Sequence, residues 1–115
     1  MATTLVIIEH GDSHSHVQIV GPLDLAGVGA IELKFTASTA SKRRHAIVDM
    51  SQVPFMASLG MGMLVQVART LASGGHKVIL LSPTELVATA LRTSRLDAVM
   101  PIAADMDAAR GHLRA

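Results

Sequence analysis

Two short apolar runs, His45-Ala-Ile-Val-Asp-Met50 and Lys77-Val-Ile-Leu-Leu81, constrain this chain more than any other feature. Neither alternates cleanly between apolar and polar residues, so each reads as a strand covered on both faces. Between them, Leu64, Val67, Ala68 and Leu71 recur at helical spacing within 59–73, and Gly74-Gly75 closes the segment as glycine does just past a helix end. A strand, a helix and a second strand in this order call for a right-handed crossover between parallel strands.

The rest of the chain extends that unit. Residues 4–9 form a β-rich run, Gly11-Asp12 is a turn signal, and 15–20 alternates Val17 and Ile19 against His16 and Gln18. The two runs read as a hairpin, which adds an antiparallel edge. Gly21-Pro22 ends it. Asp24 precedes Val28, Ile31 and Phe35, whose spacing is helical and which Asp24 can cap. Gly27 and Gly29 weaken this helix by about 1 kcal/mol each relative to Ala.

Ser82-Pro83-Thr84-Glu85 has the form of a capping box, with Ser82 at N-cap and Leu86, Ala90 and Leu91 marking the buried face. A last strand is expected within 97–102, centred on Ala98-Val99-Met100. Asp105 and Asp107 then open a helix ending in Arg110, His112 and Arg114, acid first and base last as the helix dipole favours. The expected order is β-β-α-β-α-β-α-β-α. That is one α/β domain over residues 1–115, with a small, mixed and mostly parallel sheet and helices packed on it.

Composition narrows the function. Half the residues are hydrophobic and 17% are charged, which suits a packed core and not a disordered chain. Phe35 and Phe55 are the only aromatics and the net charge is +1, so neither base stacking nor a basic field recommends nucleic acid as a direct partner. Lys42-Arg43-Arg44-His45 reads first as a solvated loop and second as an anion or partner contact. Cysteine is absent, which excludes disulfides, thiolate nucleophiles and Cys-based zinc sites. The start, Met1-Ala2-Thr3-Thr4, lacks a basic n-region. No apolar stretch reaches the roughly 20 residues that cross a bilayer. A cytoplasmic protein with no membrane span is expected.

Few residues suggest chemistry. His14 and His16 face one side of a strand, but no third metal ligand is evident nearby, so they read as exposed edge-strand histidines. His10, His45, His76 and His112 look scattered among loops and ends. The aspartates fall at turns and element ends. Neither a nucleophile elbow nor a phosphate-binding loop is present. The expectation is a protein that is not an enzyme and needs no metal or cofactor. Among the methionines, Met63 reads as core, and Met61 as either core or partner surface.

What remains is the junction Val53-Pro-Phe-Met-Ala-Ser58-Leu-Gly60-Met-Gly62-Met-Leu64. It follows a buried strand and opens a helix, at the rim where open parallel sheets carry function. Ser58 reads as an N-cap contributing about 1 kcal/mol. It also reads as a modification site, because a phosphate there would meet the helix's free N–H groups and positive dipole end. Gly60 and Gly62 lack side-chain bulk, which would let another protein approach. Spacing alone favours the cap.

Asp49-Met-Ser-Gln-Val-Pro-Phe-Met-Ala-Ser58-Leu-Gly60-Met-Gly62 resembles the STAS domain signature, roughly Asp-Leu-Ser-x-Val-x-Phe-Ile-Asp-Ser-Ser-Gly-Leu-Gly. Gly21-Pro-Leu-Asp24 resembles the family's Gly-x-Leu-Asp before its first helix. Leu91-Arg-Thr-Ser-Arg-Leu96-Asp-Ala-Val-Met-Pro-Ile102 resembles its leucine-rich link to the last strand. The resemblance implies a small mixed sheet packed on one side by helices, and the job of a stand-alone anti-sigma factor antagonist. Such a protein sequesters an anti-sigma factor, a serine kinase of the histidine-kinase-like ATPase type, and so frees the sigma factor. The kinase phosphorylates the signature serine and breaks the complex; a phosphatase resets it.

Carried across, Ser58 is the phospho-acceptor, and Asp24, Leu59, Gly60 and Met61 face the kinase. The family's acidic residue before the acceptor is Ala57 here, and its second serine is Leu59. Alternatives are a constitutive STAS interaction module, or a small-ligand or anion-binding domain using the Ser58 helix N-terminus. A monomer or weak dimer is expected.

Overall fold

A computed structural model describes residues 2–10 and 13–114. The expected Gly11-Asp12 turn lies outside the described residues. Strands β1 (Thr4–His10) and β2 (His14–Val20) pair antiparallel. They are followed by α1 (Leu25–Ser38), β3 (His45–Gln52), α2 (Ser58–Ala72), β4 (Val78–Leu81), α3 (Glu85–Thr93), β5 (Ile102–Ala103) and α4 (Met106–Arg114). The sheet order is β1-β2-β3-β4-β5, with β2 to β5 parallel. The expected α/β class, element order and mostly parallel sheet are all present.

The two non-alternating runs behave as their composition requires. Ala46, Val48 and Met50 of β3, with Val78 and Leu80 of β4, pack under Val28, Ile31 and Phe35 of α1 and Leu64, Val67 and Leu71 of α2. Ile47, Ile79 and Leu81 point the other way and pack with Ala103 and with Ala109 of α4. Helices therefore lie on both faces of the sheet, not on one. Each of these large buried side chains contributes about 1.5–3 kcal/mol relative to exposure.

Asp24 caps α1 as expected, its Oδ1 accepting the Gly27 N–H at 2.7 Å. Gly27 weakens the helix by propensity but is needed by packing. A Cβ there would run into the Pro22 carbonyl and the Thr3 hydroxyl, which itself donates to Pro22 O at 2.6 Å. Asp105 does the same work for α4, accepting the Ala108 N–H at 2.9 Å.

Three local expectations are corrected. β2 is not exposed at an edge: it runs between β1 and β3, so Ser15, His16 and Val17 are all buried, and His16 is not a surface histidine. The cap of α3 is Thr84, not Ser82. Thr84 Oγ1 accepts the Val87 N–H at 3.4 Å, while Ser82 adopts φ 50 and donates its hydroxyl to Ala104 O at 2.9 Å. The helix phase shifts with the cap, so Val87, Ala88 and Leu91 are buried and Leu86 faces solvent. Finally, Leu96–Ala98 form a 3-10 turn whose Leu96 O accepts the Val99 and Met100 N–H groups, which leaves only Ile102–Ala103 as β5. Those backbone donors are occupied locally and cannot join the sheet.

Thr84 also donates to Val53 O at 3.2 Å, tying α3 to the end of β3. Thr84→Ala removes both bonds and is expected to lower stability by about 1–2 kcal/mol in a urea melt. Ser82→Ala, which removes a single exposed hydrogen bond to Ala104 O, should cost less. Among the described residues, no helix is long and apolar enough to cross a membrane.

Candidate functional site

The parallel strands β2, β3 and β4 all run into a helix at their C-terminal ends. The starts of α1, α2 and α3 therefore gather on one rim. The β3–α2 junction is stitched to the β2–α1 junction there. Leu23 and Met56 form a parallel bridge, with Leu23 N–H donating to Phe55 O at 2.9 Å and Ala57 N–H to Leu23 O at 3.0 Å. Gly21 N–H donates to Gln52 O at 2.9 Å. These bonds hold Asp24 beside the start of α2. At the end of β3, Asp49 is structural: Oδ1 accepts the Ser51 N–H at 2.9 Å and Oδ2 accepts Gln18 Nε2 at 3.3 Å.

Ser58 is the first residue of α2, and the cap position belongs to Ala57. The expectation that Ser58 caps the helix is thus corrected by one residue. Ala57 has extended backbone (φ −84, ψ 169) and no side-chain oxygen, so the first turn of α2 receives no side-chain acceptor from its cap; the Ala57 carbonyl accepts the Gly60 N–H at 2.9 Å and the Met61 N–H at 3.2 Å. No acidic residue lies in that turn. Ser58 itself is exposed. The rim thus presents an accessible hydroxyl at the positive end of a 15-residue helix whose terminal amides no cap side chain satisfies.

The other predicted residues divide. Leu59 is exposed; Met61 is half-buried and packs against the core. Gly60 is buried, and its role is internal: a Cβ would lie 2.8 Å from Leu23 Cβ and 3.0 Å from Leu23 O. It lets α2 close onto the β2–α1 junction, and does not open space for another molecule. Gly62 has open space where a Cβ would stand.

The structure adds three exposed apolar residues that the sequence did not mark as surface: Leu25 (77% exposed), Phe55 (49%) and Leu86 (63%), which with Leu59 (47%) lie at the helix starts or junction of this rim. Large apolar side chains exposed together mark a protein-binding surface more often than a solvated one. Spacing gives no signal for Leu25, which stands three residues before Val28 on the same side of the helix; its place at the first position of α1 leaves it exposed. The cavity on this rim, about 300 Å³, is lined by Val20, Gly21, Ser51, Gln52, Pro54 and Thr84. Ser58 does not line it.

Residues 6–109 match the family model of the STAS domain. Solved structures share the fold. An anti-sigma factor antagonist from Mycobacterium paratuberculosis is 23% identical, with a TM-score of 0.80 over 98% of this chain and 95% of that one. The anti-sigma factor antagonist SpoIIAA in its unphosphorylated form is 22% identical, with a TM-score of 0.77 over 96% of each chain. The phosphorylated form of SpoIIAA, a Bacillus cell fate determinant, is 21% identical, with a TM-score of 0.69 over 93% of this chain and 97% of that one.

Proposed function

The chain belongs to the STAS domain family, and from that premise we propose that it is an anti-sigma factor antagonist whose binding to a serine kinase is ended by phosphorylation of Ser58. It would act as a single, non-enzymatic, cytoplasmic domain. The kinase is of the histidine-kinase-like ATPase type, and a phosphatase restores the free serine. The observation that carries this reading is the exposed Ser58 hydroxyl in the first turn of α2, set among exposed Leu25, Phe55 and Leu59.

The chemistry follows from that placement. The kinase transfers the γ-phosphoryl group of ATP: a bond forms between Ser58 Oγ and phosphorus, the bond to the β-phosphate bridging oxygen breaks, and ADP leaves. The hydroxyl proton passes to a base on the kinase. The product carries about −1.5 to −2 charge at neutral pH and has three acceptor oxygens. Because the Ala57 side chain supplies no acceptor, the phosphate can take N–H groups at the start of α2, ahead of the Gly60 and Met61 N–H groups that bond Ala57 O, without displacing a cap side chain. The fold survives, but the apolar rim around Ser58 becomes charged and hydrated, which removes the reason to dock. Asp24, Ser58, Leu59 and Met61 form the partner-facing set, with Gly60 shaping it from below.

A second reading, a constitutive interaction module, is favoured by Ala57 and Leu59, which replace the family's acid and second serine. Both readings require the rim. Leu59→Glu is expected to reduce kinase binding at least tenfold by calorimetry while leaving far-UV circular dichroism unchanged, since Leu59 is exposed. Incubation with kinase and ATP separates them. Mass spectrometry should find one phosphate, on Ser58; a tightly bound kinase that leaves Ser58 unmodified would reject the switch and retain the module.

A further inference from the structure

The opposite end of the sheet carries a second cluster. His14 opens β2 and His45 opens β3, and the two are register partners in the parallel pair. His76 lies just before β4, and its ring meets that of His45 edge-on, centroids 5.4 Å apart and planes at 82°. Histidines that look scattered in sequence are thus brought together by parallel register. Arg43 and Arg44, from the loop before β3, and Arg110 and Arg114, from α4, join them around one open cavity of about 610 Å³.

Local structure holds these groups in place. Arg43 adopts a left-handed conformation (φ 54) that ends the short 3-10 helix Ala40–Lys42 and turns the chain into β3. Arg44 Nε donates to Ser15 Oγ at 3.2 Å. The Lys77 N–H donates to His45 Nδ1 at 2.9 Å, so neutral His45 carries its proton on Nε2. Lys77 Nζ donates to His112 O at 2.9 Å, fastening α4 to the start of β4. None of the described residues lining the cavity is acidic. The ion pair of Arg110 with Asp107, 3.6 Å, joins two exposed side chains within one helix and offsets little of this charge.

We propose that this cavity binds a small oxyanion of the phosphate or polyphosphate type, carrying two or more negative charges. Guanidinium forks match phosphoryl oxygens in pairs, and several of them around one opening suit a multiply charged group better than a single carboxylate. The volume accommodates more than one phosphoryl group. Metal binding is the weaker alternative, because among the described residues no three His, Cys, Asp or Glu side chains converge on one point. The charge environment agrees: partial burial, followed by His76, Lys77 and His14, pushes the His45 pKa below its ordinary value. A bound anion would reverse that push. The groups facing His45 are His14 on β2, His76 and Lys77 before β4, Arg43 and Arg44 before β3, and Arg110 and Arg114 on α4.

The test is calorimetry of the full chain with inorganic pyrophosphate and with ADP at low ionic strength, alongside NMR titration of the histidine rings. Saturable binding of pyrophosphate is expected, with ADP bound comparably if the phosphoryl groups carry the interaction. Binding should raise the His45 pKa, so affinity should rise as the pH falls toward the range of the free ring, below 6.5. Arg110→Gln with Arg114→Gln should weaken binding at least tenfold; both side chains sit on the outer part of α4, and circular dichroism checks its helix. Arg43→Gln, on a loop, should weaken binding severalfold independently of α4. Ser58→Asp, at the other end of the strands, should leave it unchanged. The proposal is overturned if pyrophosphate does not saturate, if the arginine variants bind as the wild type does, or if a glutamate-rich peptide binds where pyrophosphate does not.

Discussion

Ser58→Asp is expected to weaken binding to the cognate kinase at least a hundredfold, equivalent to about 2.8 kcal/mol at 1.4 kcal/mol per tenfold. A carboxylate at this position must be desolvated as the apolar rim of Leu25, Phe55 and Leu59 closes against its partner. Losing hydration without a matched cation costs several kcal/mol. The same substitution should not harm the fold. Ser58 lies in the first turn of α2, where a negative charge gains about 0.3–1 kcal/mol from the helix dipole. Thermal melts should therefore show Ser58→Asp as stable as the wild type or more so, while calorimetry shows binding lost. Ser58→Ala sharpens the comparison. Because Ala57, not Ser58, occupies the cap, removing the hydroxyl should change stability by less than about 0.5 kcal/mol. It should also leave kinase binding intact and insensitive to ATP. Equal affinity of the Asp and Ala variants would end the phospho-switch reading.

The second large effect separates two glycines two residues apart. Gly60→Ala is expected to destabilise the protein by about 2 kcal/mol, because the added methyl meets Leu23 Cβ at 2.8 Å and the Leu23 carbonyl at 3.0 Å. Backbone atoms cannot swing away as a flexible side-chain end can. Relief requires α2 to move off the β2–α1 junction, which would also disturb the bonds of Leu23 with Phe55 and Ala57. Gly62→Ala adds its methyl to open space within the same helix and should stabilise by up to about 1 kcal/mol through helix propensity. Urea melts of the two variants decide this. Kinase binding then reports on the surface: if the partner approaches closely at Gly62, Gly62→Ala weakens binding while raising stability, a split that a purely structural glycine cannot produce.

Much of the architecture was legible from residue order because local physics and tertiary packing agree there. The 46–50 and 78–81 runs are buried on both faces, as their lack of alternation implied. The 28, 31, 35 stripe and the 64, 67, 68, 71 stripe both face the core. Disagreement appears where several local solutions compete. Ser82 and Thr84 are both competent caps, and only the turn that carries β4 toward α3, with Ser82 at φ 50 and bonded to Ala104, assigns the cap to Thr84. His16 alternates with apolar neighbours as a surface residue would, yet the sheet places β2 between two other strands.

The junction around Ser58 divides along the same line. The sequence by itself determined that a serine stands at the start of a helix after a buried strand and that small residues follow, but not that the cap falls on Ala57. Those properties depend on residue type and spacing along one stretch of chain. Only the tertiary structure decided that Gly60 serves the packing of Leu23 rather than a partner, and that Leu25 and Leu86 share the rim with Phe55 and Leu59. It alone also gathered His14, His45 and His76 at the far end of the strands. These facts join residues tens of positions apart, and the parallel register that aligns the strand ends is set by the whole sheet, not by any one segment.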